Sequence, residues 1–450
     1  MNDLDLAKKT INLGLRSDID EIEVKISNSN LIAVKIEKDS LKKSQINEDR
    51  GLSVRVIKNK SVGFSYTTSL TMPAIENCIR NAVKMAKFGV PDPGFHSLCT
   101  PQKIKLIKNT RDKSIAEMEI EEAVSIVFET LENTKIDKRI YNTSISFNSE
   151  EFKLTIANSR GIELDDEPSH TGINVSAEVT AKENDEMTSG FEFQTCRFLK
   201  ELNPSWIGKE AAKMAINSLN AKKIETTELP VILHPLTVQK IVSHGVGDAI
   251  NAESILYKRS FLVGKKNQKI GNEQFSVIDD GTYIKDKIPA LFTSSFDGEG
   301  HPHGKTQLVE NGILKNYLHN SYTSKRMEET NTGNASRGTY RSVPSISSTN
   351  LIVKQGTGTL EDMINDSKEA ILLIYTGDSP NLATGDFSAL ISSGYKIKNG
   401  EIDFPLKQAM LGINLMNLFE RIEWIGKYSR QIGHVFTPAI KIERARIGGQ

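Results

Sequence analysis

The sequence is poor in cysteine. Cys78, Cys99 and Cys196 are its three cysteines in 450 residues, and their spacing matches neither a metal-binding nor a redox motif. An odd number of scattered cysteines is typical of proteins from a reducing compartment, where thiols stay reduced. We therefore expect packed, unpaired thiols and a cytoplasmic location.

The sequence also lacks net charge and long apolar runs. Its 57 basic residues balance 57 acidic residues, which excludes a general electrostatic attraction to nucleic acid or to an anionic membrane. No apolar run approaches the roughly 18–20 residues that cross a bilayer. Residues 1–16 carry charges where a secretory signal would be apolar. We therefore expect no nucleic-acid partner and no membrane partner.

The motifs of several large enzyme classes are absent as well. The sequence contains no serine nucleophile elbow, no P-loop and no dinucleotide-binding fingerprint. What it has is an ordinary globular composition, with 38% hydrophobic and 25% charged residues, which predicts a sizeable buried core. At about 100–200 residues per domain, the length predicts two or three domains.

The distribution of patterns along the chain predicts a two-domain α+β protein. Residues 1–225 alternate short amphipathic helices with strands of antiparallel type, so we assign them to an N-terminal domain of mixed helices and antiparallel strands. After Glu225-Thr226-Thr227 the chain consists mostly of short strands separated by Gly, Asn and Asp. We therefore assign residues 226–450 to a second, β-rich domain built on a curved antiparallel sheet.

Local patterns predict individual elements. Residues 20–26 alternate apolar and charged side chains, which predicts a strand buried on its apolar face only. Asn28-Ser29-Asn30 predicts a turn, and residues 31–37 a returning strand. Residues 51–68 predict another hairpin with Lys58-Asn59-Lys60 at its tip. Apolar residues at helical spacing predict helices over residues 4–17, 72–88, 115–132, 208–222 and 236–256.

The most suggestive polar segment is residues 297–304, Asp-Gly-Glu-Gly-His-Pro-His-Gly. If the segment is extended, His301 and His303 share one strand face and could bind a metal together. A catalytic zinc site needs three protein ligands and a water, and nothing nearby in the sequence clearly supplies the third. The alternative, a solvated Gly/Pro turn with incidental histidines, is favoured.

Two further segments could carry chemistry. His244 and Asp248 are four residues apart in a predicted helix and so share a face; a plain polar helix face is favoured over metal binding. The triplets at 376–378 and 384–386 are both Thr-Gly-Asp. Such a run could let Gly385 approach a ligand while Asp386 holds a polar group. By composition, two tight turns between strands are the favoured interpretation.

A series of short segments, taken in their order along the chain, indicates more than the fold class. Together the segments resemble the TldD/PmbA family of metallopeptidase-type proteins over nearly the whole chain. Each segment is weak, whereas their order and spacing are specific. The matching segments are residues 20–24, 50–56, 277–282, 296–300, 309–314, 332–334, 384–388, 397–401 and 438–442.

The resemblance implies where a zinc site would lie. TldD-type members have a His-Glu-x-x-x-His helix and a further ligand from a late cysteine. Here the motif positions fall on Ser243, His244 and Asp248, and no cysteine follows Cys196. The chain therefore resembles the PmbA-type (TldE) members, which lack the motif. This implies no metal, cofactor or catalytic residue in this chain, with zinc expected in a partner subunit.

The resemblance also implies a partner and a substrate. We expect a heterodimer with a TldD-type zinc subunit, or a homodimer, forming a cytoplasmic peptidase that acts on peptides or unfolded proteins. Thr384, Gly385 and Asp386 should then face the shared cavity. One alternative is a stand-alone peptidase whose non-standard metal site draws on His244, Asp248, His301 and His303, or that uses no metal. Another is a peptide-binding module without enzymatic activity.

Overall fold

The computed structural model describes residues 2–166 and 169–449. Its first half is built on a seven-stranded antiparallel sheet. The strands are β1 (Glu21–Glu37), β2 (Ser40–Lys58), β3 (Ser61–Thr67), β4 (Ile140–Asn158), β5 (Glu163–Asp165), β6 (His170–Glu183) and β7 (Glu186–Cys196). Their order is β3-β2-β1-β4-β6-β7, and β5 pairs with β4. The helices of this half are α1 (Asp3–Gly14), α2 (Met72–Phe88), α3 (Lys113–Ala116), α4 (Ile120–Glu132) and α5 (Pro204–Asn217).

The predicted turn at Asn28-Ser29-Asn30 is wrong. Strand β1 runs without interruption for 17 residues, and Asn28 pairs with Arg50 on one side and Lys153 on the other. Hydrogen bonds to the two neighbouring strands pair the backbone groups of this segment. They outweigh the local preference of asparagine for turns. The chain turns instead at Lys38 and Asp39, both at positive φ.

The charged face of β1, which the alternation predicts to be exposed to solvent, is buried near the start of the strand. Ile22, Val24 and Ile26 pack under α1 and α2 as expected. Glu23 and Lys25, predicted to face away from the core, are 1% and 0% exposed. The second half of the chain covers that face of the sheet here, since Arg337 bonds to Glu23 and accepts from Lys25, so residues 22–27 of the strand are buried on both sides.

The predicted hairpin tip is confirmed. β2 ends at Lys58, β3 begins at Ser61, and these two residues pair. Asn59 and Lys60 between them have φ of 48° and 64°, the left-handed pair that a two-residue hairpin turn requires. Asparagine tolerates this conformation better than most residues, which is why the sequence signalled the turn.

Two helices approach the sheet closely because glycines face them. A Cβ at Gly63 of β3 would lie 1.9 Å from the Ala82 carbonyl oxygen of α2, and one at Gly190 of β7 would lie 2.1 Å from that of Ala211 of α5. Helix α5 begins at Pro204, after the cap of Asn203, earlier than the predicted 208–222. Helix α2 thus packs against edge strand β3, and helix α5 packs against β7 at the other edge of the sheet.

The second half is built mainly of short strands. They are β8 (Thr227–Leu233), β9 (Val277–Asp280), β10 (Ile284–Lys285), β11 (Ile288–Pro289), β12 (Lys305–Glu310), β13 (Ile313–Leu314), β14 (Ala335–Ser336), β15 (Ser345–Ile346), β16 (Leu351–Val353), β17 (Glu369–Tyr375), β18 (Asp386–Leu390), β19 (Ser393–Lys398), β20 (Glu401–Pro405), β21 (Met410–Asn414), β22 (Ile422–Ile425), β23 (Arg430–Ile432), β24 (Val435–Thr437) and β25 (Ile440–Gly448). The helices are α6 (Pro235–Val242), α7 (Ala252–Leu256), α8 (Ser321–Arg326), α9 (Leu360–Asn365) and α10 (Leu415–Glu420).

Fourteen of these strands form two large sheets that share a core, and β10-β11 and β14-β15 form two small sheets. An eight-stranded sheet has the order β18-β21-β25-β8-β17-β19-β20, with β22 on β25; a six-stranded sheet has the order β13-β12-β9-β16-β24-β23. Pairing is antiparallel except between β8 and β17 and between β16 and β24. The α+β class with a curved, mostly antiparallel second half is confirmed. The predicted boundary at residue 225 stays a prediction.

The predicted helix over 236–256 is interrupted. Helix α6 ends at Val242, a π-helical turn spans Ser243–Asp248, and α7 begins only at Ala252 behind the Asn251 cap. The π turn widens the backbone where Gly245 and Gly247 lie against Leu415 and Leu351. Glycines inside an apolar helical pattern mark this irregularity. Within the described residues, no helix is long and apolar enough to span a membrane.

Replacing Gly63 by alanine tests the close packing of α2 on the sheet. The added Cβ meets backbone atoms, which cannot rotate away, so we expect Gly63→Ala to lower the free energy of unfolding by roughly 1–3 kcal/mol. Gly377→Ala is the control, because no heavy atom lies within 4 Å of its added Cβ. Urea denaturation of both variants measures the difference, and equal stabilities would contradict the packing.

Candidate functional site

A cavity of about 510 Å³ lies between the two halves of the chain. The open face of the seven-stranded sheet forms one wall, and loops of the second half form the other. The wall residues from the sheet include Leu31, Asn148, Glu150, Phe152 and Asn174, and those from the loops include Leu291, Phe292, Asp297, His303 and Asn334. The cavity is therefore made jointly by segments far apart in the sequence.

Asp297 anchors the loop that carries the predicted histidine pair. Its Oδ1 accepts hydrogen bonds from the backbone N–H groups of Glu299 and His301, each 2.9 Å away, and its Oδ2 accepts one from Ala335 at 3.0 Å. Burial and the nearby Glu299 raise the pKa of Asp297 to about 8. Both of its side-chain oxygens accept backbone hydrogen bonds that hold the loop in shape, so they are not free to bind a metal.

A buried ionic network fastens this loop to the sheet. Glu299 Oε1 lies 3.0 Å from Arg55 Nη2, and the same nitrogen lies 2.8 Å from Glu23 Oε2. Glu23 Oε1 also pairs with Arg337 Nη1 at 2.6 Å. Burial raises the pKa of the Glu299 carboxyl. Arg55 beside it and the hydrogen bonds from Ser321 lower that pKa by more, so it lies below its ordinary value. Four charged side chains thus join the two halves.

The predicted histidine pair does not share a strand face. His301 and His303 lie in a loop, and β12 begins only at Lys305. His301 Nδ1 lies 2.9 Å from the Pro302 carbonyl oxygen. Burial lowers the pKa of His301, and it lowers that of His303 to about 4. Both rings are therefore neutral at pH 7.

A third histidine, missed by the sequence analysis, joins them. His301, His303 and His319 all line a second cavity of about 430 Å³. His319 is 2% exposed, and its Nδ1 lies 3.2 Å from Thr323 Oγ1. Its Nε2 is buried without a hydrogen-bond partner in the described part of the chain. No spacing signal linked His319 to the pair, because the fold alone brings them to one cavity.

His244 and Asp248 do share a helical face, as predicted. His244 Nδ1 lies 2.8 Å from Asp248 Oδ2, and both side chains are substantially exposed. Ser243 Oγ lies 3.3 Å from His434 Nε2. Burial lowers the pKa of His434, against the attraction of Asp248. The sequence analysis missed His434, which comes from the far end of the chain.

The Thr384–Asp386 segment forms the tight turn expected of its composition. Gly385 has φ of +77°, and Asp386 accepts a 2.9 Å hydrogen bond from Asn414 Nδ2. Phe387 is buried in the core behind it. The three turn residues line neither cavity described above. Their placement in a cavity shared with a partner stays a prediction.

Comparison with known proteins places the chain in a family. The model described as PmbA/TldA metallopeptidase domain 1 matches residues 22–86, the central-domain model residues 113–219 and the C-terminal-domain model residues 226–449. An uncharacterized protein of Methanocaldococcus jannaschii is 31% identical over 434 residues, covering 96% of this chain and 97% of the relative. The chain belongs to the PmbA/TldD family.

Other PmbA/TldD members show the same full-length match. Metalloprotease PmbA of Escherichia coli O157:H7 is 26% identical over 435 residues, covering 94% of this chain and 92% of the relative. The crystal structure of TldE from Thermococcus kodakarensis matches with a TM-score of 0.89 at 23% identity, covering 99% of this chain and 100% of that chain. At that identity the structural match shows the shared fold.

The family name implies a metal, and a zinc site with three protein ligands would need a matching group of donors in this PmbA/TldD member. Residues 2–166 and 169–449 contain no group of three or more His, Cys, Asp or Glu side chains placed to hold a metal. His244 and Asp248 bond to each other. Cys78, Cys99 and Cys196 are buried, unpaired thiols, as expected. The described donors therefore do not fit a site with three protein ligands.

The pH dependence of stability tests whether His319 in the second cavity is neutral in the folded protein. Burial lowers the pKa of His319 from 6.5 to about 4. Between those values the unfolded chain binds more protons than the folded protein, so the free energy of unfolding falls as the pH falls. The slope from one such group reaches about 1.4 kcal/mol per pH unit.

We expect His319→Asn to make this decrease shallower, because the titrating ring is gone while a polar group remains opposite Thr323. Denaturant unfolding across the window between the two pKa values measures the slope. His96→Asn, at an exposed position, is the matched control. A slope as steep in His319→Asn as in the parent would contradict the assignment.

Proposed function

We propose that this chain is the PmbA/TldE-type subunit of a TldD/TldE-like metallopeptidase that acts on peptides or unfolded proteins. In this proposal the chain carries no zinc site of its own, and a TldD-type partner subunit supplies the zinc. The observation that carries the proposal is the set of residues at the three motif positions. Ser243, His244 and Asp248 stand where the zinc helix of a TldD-type member has His, Glu and His.

The local geometry supports this reading of the motif positions. A zinc peptidase needs two neutral histidines facing the metal and a carboxylate base beside the attacking water. Here the first position holds a serine that contacts His434, and the other two positions hold each other in a 2.8 Å contact. No cysteine follows Cys196 to supply a late thiolate. The chain on its own therefore has no evident means of activating water.

The active form in this proposal is an assembly of two subunits. The partner is a TldD-type zinc subunit, or a second copy of this chain when it is purified alone, and the pair works in the cytoplasm. An extended peptide can add to a sheet edge through main-chain hydrogen bonds, which requires no net charge on the protein. In the assembled pair, the turn of Thr384, Gly385 and Asp386 faces the shared chamber. Neither nucleic acid nor a membrane takes part.

Metal analysis tests the absence of a resident zinc. We expect elemental analysis of the purified chain to find well below one zinc per chain, with no change in His244→Ala. His96→Ala, which removes an exposed histidine, controls for adventitious surface binding. Close to one zinc per chain, lost in His244→Ala and retained in His96→Ala, would instead support the stand-alone peptidase.

Reconstitution tests the dependence on a partner. We expect little cleavage of unstructured peptides by this chain alone, and chelator-sensitive cleavage when a TldD-type subunit from the same organism is added. The physical reason is that amide hydrolysis at neutral pH needs the activated water of the zinc subunit.

Two other outcomes would contradict the subunit role. Full, chelator-resistant activity of this chain alone, abolished by one substitution within it, would make it an independent enzyme. Peptide binding without co-purification or any gain of cleavage with the zinc subunit would make it a separate binding module.

A further inference from the structure

We propose that the cavity between the two halves binds the free ammonium end of a peptide whose first side chain is apolar, with Glu150 as its anionic anchor. The inference rests on the proposed function only for naming a peptide as the source of the ammonium group. Its physical basis is the charge, shape and lining of the cavity in this chain, and it needs no partner subunit.

Glu150 is a carboxylate without a counter-ion. Its side chain makes no hydrogen bond or ion pair among the described residues, and burial by surrounding atoms raises its pKa. By surface area it is nevertheless an exposed residue of the sheet wall of the cavity. The next residue differs, because Glu151 accepts a 2.7 Å hydrogen bond from Arg111 Nε and one from Ser169. A partly desolvated carboxylate with no partner in the protein gains from a cationic ligand that pairs with it.

The other ionisable groups of the described cavity wall each contact a polar partner or are neutral at pH 7. Asp166 Oδ2 lies 2.5 Å from His170 Nε2, and Asp297 accepts three backbone hydrogen bonds. Arg337 is held by Glu23 and by Ser53. With the pKa of His303 lowered to about 4, that ring is neutral at pH 7. Among the described residues of the wall, Glu150 is therefore the charge without a partner, which favours a cation and disfavours the carboxylate end of a peptide.

The rest of the cavity is suited to an apolar group. Leu31, Phe152, Leu291 and Phe292 line it, and about 510 Å³ lies within the range of small-ligand sites. Gly172 pairs with Glu150 across the sheet, and a Cβ there would lie 2.9 Å from Leu291 Cδ1. A side chain at that position would narrow the space beside the carboxylate. An ammonium group attached to one apolar residue matches this lining.

Titration of three small peptides against the full-length chain tests the site by calorimetry. The probes are Leu-Gly-Gly, N-acetyl-Leu-Gly-Gly, and N-acetyl-Gly-Lys-Gly amide, which carries its ammonium on a side chain. We expect Leu-Gly-Gly to bind and both acetylated peptides to bind at least about tenfold more weakly. In Glu150→Gln, the Kd for Leu-Gly-Gly should rise about tenfold, the loss of one partly desolvated ion pair.

Glu178→Gln is the matched control, because Glu178 lies on a strand of the same sheet, outside the cavity lining, and also loses one negative charge. Circular dichroism checks that both variants fold. Equal binding of Leu-Gly-Gly and its acetylated form, or an unchanged Kd in Glu150→Gln, would overturn the proposal. Equal binding of the lysine peptide would overturn the assignment to a peptide N-terminus. Since no zinc subunit is present, the result is independent of whether reconstitution restores cleavage.

Discussion

The two halves of this protein are joined by four buried charges. Glu23 and Arg55 come from the seven-stranded sheet, and Glu299 and Arg337 come from loops of the second half. Each is less than a tenth exposed. Buried charges are tolerated only while they stay paired, and removing one partner typically costs about 3–5 kcal/mol. The relative position of the halves, and with it the cavity between them, depends on this pairing.

This constraint explains why the loop of residues 297–304 is rich in polar residues without being a metal site. Glu299 belongs to the ionic network, and Asp297 accepts the backbone donors that hold the loop in shape. Burial leaves His301 and His303 as neutral rings lining cavities. The carboxylates that appeared to flank a metal pair are used structurally, and the carboxylate left without a partner, Glu150, lies on the opposite wall.

Sequence periodicity predicted local elements well where local chemistry decides them. The hairpin tip at Asn59 and Lys60 needs left-handed backbone, and helix α2 spans the predicted residues 72–88. Prediction failed where distant contacts decide. Pairing on both sides of β1 overrode the Asn28–Asn30 turn signal. Packing of Gly245 and Gly247 against Leu415 and Leu351 accompanies the π turn that interrupts the helix over 236–256.

By itself, the sequence determined the family, since the order of its matching segments spans nearly the whole chain. The proposal that Ser243, His244 and Asp248 occupy the positions of the zinc motif also rests on residue identity alone. Tertiary structure decided which charged side chains have a hydrogen-bond or ion-pair partner. Glu150 and Glu151 are adjacent and chemically identical, yet Arg111 and Ser169 reach only Glu151. Successive strand residues point to opposite faces of a sheet, and what covers each face comes from segments remote in the sequence.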